Sequence, residues 1–367
     1  MPRKLSAEAE PFDANFTCVF DSPHCLGYSH RTMQKNAVLL VNLGSPDSTS
    51  TKDVRRYLKE FLSDDRVLDT PKAIQQFVLN CFILPTRPKR SGEAYKKVWT
   101  DEGSPLVVTS KNIQTLLQER IDDHVELAMR YGQPSIPNAI ANLKAKGITN
   151  ILLIPLYPHY AMSSYETVVV RVMEEVVDQM PDTKVETLQP FYKETDYIEA
   201  LYQSAKPYLE TGYDHLLFSY HGIPVRHLTK ADSSNAHCQV VKDCCTTCSP
   251  AHSTCYKAQV TATTAAFIKR AGISEDQYSI SFQSRLGREP WIEPFTDQIL
   301  PDLAKSGTKR LLVMMPAFVS DCLETLEEIA MEGKEMFLEA GGESFVAIPC
   351  MNQHPAWIDF LAKQSRG

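Results

Sequence analysis

The chain of 367 residues contains no apolar run near the ~20 residues that a membrane-crossing helix requires. The longest candidate, "NILLIPLYP" at 150–158, is too short and carries two prolines. Positive charge is not in excess either. Against 38 lysines and arginines stand 45 acids, a net charge of −7. Phosphate binding needs a basic face, so a nucleic-acid partner is disfavoured. Residues 1–35 lack a sustained apolar block for a signal peptide and carry too many acids for a transit peptide. They read as an N-terminal extension, and the expected compartment is cytoplasmic. No G-x-G-x-x-G follows the first strand-like run, which disfavours a nucleotide cofactor. Cysteine is sparse outside one stretch: of ten in the chain, five fall between Cys238 and Cys255. In a reducing compartment such a cluster suggests a metal site rather than disulfides.

What the chain does have is alternation. Hydrophobic residues make up 43% of it, enough for real cores. Strand-like runs occur at 37–44, 125–132, 150–158 and 185–192, and again at 215–222, 278–285, 310–318 and 344–352. Helical patterns separate them, including 135–147, 164–180, 323–342 and 355–366. Continuous apolar strands suggest sheets covered on both faces, and strand–helix alternation suggests parallel order. The expected fold class is therefore α/β, with two doubly wound domains and parallel sheets. The first spans 36–182 with the C-terminal segment 345–367 packed back on it, and the second spans 183–344. In such sheets ligands bind beyond the carboxyl ends of strands. That rule selects "NLGSP", "PLYPHY", "SYHGIP" and "PAFVSDCLE".

His221 ends an apolar strand where Gly-Ile-Pro turns the chain. Its imidazole can take a proton near neutral pH or bind a metal, although such a histidine can also merely cap the strand. Asp321, Glu324, Glu327 and Glu328 crowd the start of the helix after the seventh run. Glu324, Glu328 and Glu332 fall at i, i+4 and i+8, one face of an α-helix, where hard oxygens can pass a divalent cation along. Glu327 reads as part of a solvated helix start. Arg285 and Arg288 could hold carboxylates, with Pro290 and Trp291 as an apolar wall, although a surface turn has the same composition. The run "FVLNCFILP" (77–85) reads as a buried helix in preference to an apolar lip open to a membrane surface.

The five clustered cysteines are spaced C-x5-C-C-x2-C-x6-C. That density is too high for ordinary buried thiols. Four of Cys238, Cys244, Cys245, Cys248 and Cys255 can hold zinc or an iron–sulfur cluster, with His237 and His252 as spare ligands, and spacing alone leans slightly to zinc. Cys238, Cys245, Cys248 and Cys255 are the favoured set, with Cys244 able to replace Cys245. Cys18, Cys25, Cys81 and Cys350 are scattered and read as ordinary thiols.

Taken in order, "LLVNLGSP" (39–46), "YKKVWTDEGSPL" (95–106), "LLIPLYPHYA" (152–161), "LLFSYHGIP" (216–224), "SFQSRLGREPW" (281–291) and "DCLETLEEI" (321–329) resemble the ferrochelatase family. The resemblance implies two Rossmann-like domains with a porphyrin cleft between them. It implies a lyase that inserts Fe(II) into protoporphyrin IX, with His221 and Glu324 as the central pair and Glu328 and Glu332 as an acidic relay. It also implies a [2Fe–2S] cluster on four of the five clustered cysteines, since one group of bacterial relatives binds one through an internal segment. Cys322 stands where some relatives carry a histidine, so a second imidazole is missing there. Coproporphyrin as substrate, cobalt or nickel as cargo, and a non-catalytic iron or porphyrin carrier are the alternatives.

Overall fold

The computed structural model describes residues 36–285, 287 and 289–366. The expectations for residues 1–35, Cys18 and Cys25 among them, and for Arg288 lie outside the described residues. All eight strand-like runs form strands. β1 (Asn36–Ser45), β2 (His124–Gly132), β3 (Asn150–Pro155) and β4 (Lys184–Thr187) make one sheet in the order β2-β1-β3-β4. β5 (His215–His221), β6 (Tyr278–Gln283), β7 (Arg310–Met314) and β8 (Ser344–Ala347) make a second in the equivalent order β6-β5-β7-β8. Every pairing is parallel.

Side-chain alternation along the strands builds three apolar layers. In β1, Val38 and Leu40 point into a central core, whereas Ala37, Leu39 and Val41 point into an outer one with the helices Ile136–Ala145 and Thr167–Gln179. In β5, Leu216, Phe218 and Tyr220 enter the same central core, and Leu217 joins an outer layer with Leu300, Leu311 and Phe337. The central core is thus shared by both sheets, and the described residues cluster as one unit. The helix Pro355–Ser365 closes it: Trp357 stacks on Phe360 and packs against Phe191 and Tyr197.

Three features differ from the sequence reading. β4 pairs with β3 and β8 with β7, so the first sheet extends past residue 182 and the second past residue 344. Strands three and seven stop early where Pro155 and Pro316 lack the amide that would continue the ladder at or just beyond the end. The segment 77–85 does not form a buried helix. In the stretch Lys72–Ile83 the inward positions are taken by Gln75, which donates to Asp65 and the Leu68 carbonyl, and by Leu79. Ile74, Phe77 and Phe82 are left 54%, 59% and 63% exposed.

The strand order also marks where a ligand should sit. From β6 the chain crosses over β5 to reach β7, so adjacent β5 and β7 send their following loops apart and open a crevice at their carboxyl ends. His221 ends β5, and the segment leading to Glu324 follows β7.

Candidate active site and thiol loop

At the end of β5 the peptide joining His221 to Gly222 is held at both poles. Its carbonyl accepts from the Tyr256 hydroxyl at 2.9 Å, and its N–H donates to the Gln283 carbonyl at 2.7 Å. The ring then folds back, with Nδ1 2.6 Å from the Gly222 carbonyl. A carbonyl can only accept, so Nδ1 carries the proton and Nε2 of the neutral ring is left with its lone pair. Glycine is required at 222, because an added Cβ would lie 2.9 Å from the Gln283 carbonyl oxygen and 3.3 Å from the Trp291 ring. Phe318, from the segment after β7, meets the His221 ring edge-on at 6.3 Å.

Glu324 begins a π-helical stretch, Glu324–Gly333, a winding that frequently accompanies functional sites and also occurs here at Leu79–Ile83 and Met162–Glu166. Glu328 is bound by Ser284: the backbone N–H reaches Oε1 at 2.8 Å and the hydroxyl donates to Oε2. Ser284 adopts φ 60, the left-handed region that non-glycine residues seldom enter, and this conformation belongs to the strand end that grips the carboxylate. Burial raises the Glu328 carboxyl above its ordinary value; the Ser284 hydroxyl opposes the rise, as does His221 whenever its ring carries a second proton, and the charge of Glu324 adds to it. His221, Glu328 and Glu324 therefore form one electrostatically linked group across the ends of β5 and β7.

Glu324 also faces the first half of the chain. Its charge bears on Tyr57, Tyr95 and Arg87, and the thiol of Cys322 hydrogen-bonds to it. Arg87 Nη1 is buried without a hydrogen-bond partner, and burial lowers the guanidinium's pKa from its usual value. The sequence held no signal for Arg87, which sits in a basic run indistinguishable from a solvated surface, or for Tyr57 and Tyr256; Tyr95 and Ser284 fall inside the motifs at 95–106 and 281–291 but carried no assigned role. The acidic stripe differs from the α-helical expectation. Hydrogen bonding from i to i+5 lines up residues five apart, so Glu332 meets Glu327 instead of continuing from Glu328. Glu327 is buried at 8% exposure and takes Lys97 at 2.6 Å, so it is not the solvated residue expected. Arg285 is an exposed surface residue, paired with Asp297 at 2.7 Å and lying over Phe295. Segment 290–292 lies along 223–225, placing Trp291 against Gly222.

In the thiol loop, Cys238 and Cys255 are buried, Cys244 and Cys245 half-buried, and Cys248 exposed. Cys245 and Cys238 both hydrogen-bond to Cys255. The bond from Cys245 is the main reason the Cys255 thiol is lowered to about 6, while burial pushes Cys238 up to about 12. Cys244 is close enough to act on Cys238 and Cys245 by charge; Cys248 does not join the group. The frame is made by Asp232, whose carboxylate accepts from the backbone N–H of Ser234, His237 and Cys238, and by His237 and His252, whose Nε2 atoms both contact the Cys244 carbonyl at 2.8 and 2.7 Å. Two thiols bonded to a third, Cys255, with Cys244 nearby, are sulfur donors of the type that a thiolate-held metal group takes. Among the described residues, however, no three His, Cys, Asp or Glu side chains already stand at metal-holding distances, here or around Glu324. Cys350 lies apart, beside Asp321 and Cys322.

The architecture is that of class II chelatases: SirB from Bacillus subtilis with Fe3+ superposes with a TM-score of 0.52 at 12% identity, over 91% of this chain and 95% of that one. The sirohydrochlorin chelatase SirB from Bacillus subtilis subspecies spizizenii, in complex with cobalt, gives the same TM-score at 11% identity, over 91% and 94% of the two chains. At these identities the likeness shows the fold alone. Sequence goes further. The family model for ferrochelatase matches residues 35–366. The ferrochelatase of Opitutus terrae is 58% identical over 337 residues, 91% of this chain and 98% of its own, and that of Pseudomonas putida strain W619 is 49% identical over 333 residues, 90% and 98% of the two chains. The chain belongs to the ferrochelatase family.

Proposed function

We propose that this protein is a lyase that inserts ferrous iron, as substrate, into protoporphyrin IX to form protohaem. The observation that carries the reading is the linked group of His221, Glu328 and Glu324 at the crevice between β5 and β7, in a chain of this family. Free porphyrin is nearly flat and carries protons on two of its four nitrogens. Iron enters only when the ring is bent and those protons leave, so a cleft that holds the bent form favours the transition state. His221 Nε2, unprotonated in the neutral ring, accepts one pyrrole proton. Glu324 supplies the oxygen ligand for the incoming cation, and Glu328, with its raised pKa, takes up or returns the second proton. Glu332, paired with Glu327 and near Lys97, extends the acidic route outward. Arg87, with one buried donor open, suits a carboxylate of the substrate's side chains.

The exposed Ile74, Phe77, Val78 and Phe82 form an apolar lip suited to a poorly soluble ring, and to peripheral contact with the membrane that holds it. Among the described residues no helix is long and apolar enough to cross a membrane, and we read the protein as cytoplasmic. We read the thiol loop as the holder of a [2Fe–2S] cluster on Cys238, Cys245, Cys255 and one of Cys244 or Cys248. When bound, such a group would cross-link the loop and stabilise the second domain. We divide the chain into two Rossmann-like domains between β4 and β5. An anaerobic spectral assay with protoporphyrin and coproporphyrin, each with Fe(II) and Co(II), tests the function. Fastest insertion of Fe(II) into protoporphyrin supports it, and preference for either other substrate overturns it.

A further inference from the structure

We propose that Tyr256 is a positioning residue for His221 and that through it the thiol loop acts on metal insertion. The inference rests on the role given to His221 above and adds the means by which a distant loop reaches it. Tyr256 directly follows Cys255, on which the thiol hydrogen bonds converge, and it opens the helix Tyr256–Ala271. Its hydroxyl donates to the His221 carbonyl at 2.9 Å. That carbonyl and the Gly222 N–H bonded to Gln283 at 2.7 Å are the two ends of one peptide, so the plane is fixed from both sides. The Gly222 carbonyl that follows is the acceptor for Nδ1 at 2.6 Å. Rotating the peptide would carry this acceptor away and leave the ring free to turn about its side-chain bonds.

The same helix joins the loop to the first half of the chain. Gln259, one turn on, donates to the His252 and Ser253 carbonyls at 3.1 and 2.8 Å and accepts from the Tyr160 N–H at 2.7 Å. His159 packs edge-on against both Tyr256 and Tyr220, with ring centres 5.8 and 5.7 Å away. Loosening of the loop at Cys255 therefore reaches the His221–Gly222 peptide through a single residue.

The test compares Tyr256→Phe, Cys245→Ser and the double variant in the full chain, reading kcat and KM for Fe(II) insertion and hydrogen exchange at the Gly222 amide. Tyr256→Phe keeps the ring and its contact with His159, and the thermal midpoint reports whether it folds. The expected result is a fall in kcat of roughly tenfold to a hundredfold with KM for porphyrin held within about twofold, and faster exchange at Gly222. Cys245→Ser should shift both readouts the same way, and adding it to Tyr256→Phe should cost nothing further. Thr264→Val, which frees the Tyr220 hydroxyl from the same helix without touching His221, should retain kcat. The proposal is overturned by full kcat in Tyr256→Phe, by an equal loss in Thr264→Val, or by losses that multiply in the double variant. Full activity in His221→Ala would overturn the role of His221 instead, and Gly222 exchange would still report on the Tyr256 contact.

Discussion

Replacing Gly222 by alanine tests the geometry behind His221 with one methyl group. The added carbon would stand 2.9 Å from the Gln283 carbonyl oxygen, which is backbone and already accepts the Gly222 N–H at 2.7 Å, and 3.3 Å from the Trp291 ring. Neither neighbour is the free end of a flexible side chain, so the strand end must shift and the Gly222 to Gln283 hydrogen bond must stretch. Overpacking a tight site costs ~1–3 kcal/mol, and weakening a buried hydrogen bond adds about 1 kcal/mol. The expected loss is therefore about 2–4 kcal/mol in denaturant-induced unfolding, from those two contributions together. Activity should fall further than stability explains, by roughly a hundredfold in kcat, because the Gly222 carbonyl that orients the imidazole moves with the peptide. Unfolding curves and insertion kinetics on the same preparation separate the two effects. An alanine variant as stable and as fast as the parent would refute the reasoning, since it would mean that the close approach at Gly222 does not fix the ring.

Three further outcomes follow from the site. Burial raises the Glu328 carboxyl, so the folded chain binds that proton more tightly than the unfolded one, and the stability linked to it is lost as pH rises from the ordinary glutamate range through the raised value. Glu328→Gln should therefore gain in thermal midpoint over the parent as pH rises through that window, while slowing insertion; a midpoint difference independent of pH would contradict the shift. Serine at both Phe77 and Phe82 should weaken porphyrin binding and vesicle association with little change in stability, because both rings already face solvent; a large stability loss would show that the lip is packed after all. Anaerobically purified protein should contain about two iron and two sulfide per chain, and Cys245→Ser should abolish both; a colourless protein with one zinc would replace the cluster by a zinc site.

The sequence made the strand framework legible because both faces of each sheet are covered, so runs such as Ala37–Val41 stay apolar without interruption. His221 stood out as a candidate because it sits where an apolar run stops and a turn begins, and Glu324 because it opens the acid-rich helix that follows β7. The pairing of acids was not. Helical spacing presumes α winding, and nothing in "ETLEEIAMEG" signals that i→i+5 bonding will set Glu332 beside Glu327. The segment 77–83 was misread as buried because its apolar residues look the same in the sequence whether a core or solvent meets them, and the inward place of Gln75 depends on Asp65 and Leu68 from a separate loop. Arg87 and Tyr256 were invisible for a like cause. Their importance lies in partners far along the chain, Glu324 for one and the His221 carbonyl for the other.

The central claim is that an imidazole at the end of β5 removes a pyrrole proton while iron enters. Its most direct measurement is single-turnover Fe(II) insertion by His221→Ala, with porphyrin affinity read by fluorescence on the same sample. The account predicts that porphyrin binds with its parental affinity and that insertion falls at least about a hundredfold, the range for losing a positioned general base. Insertion at the parental rate with porphyrin bound would contradict it.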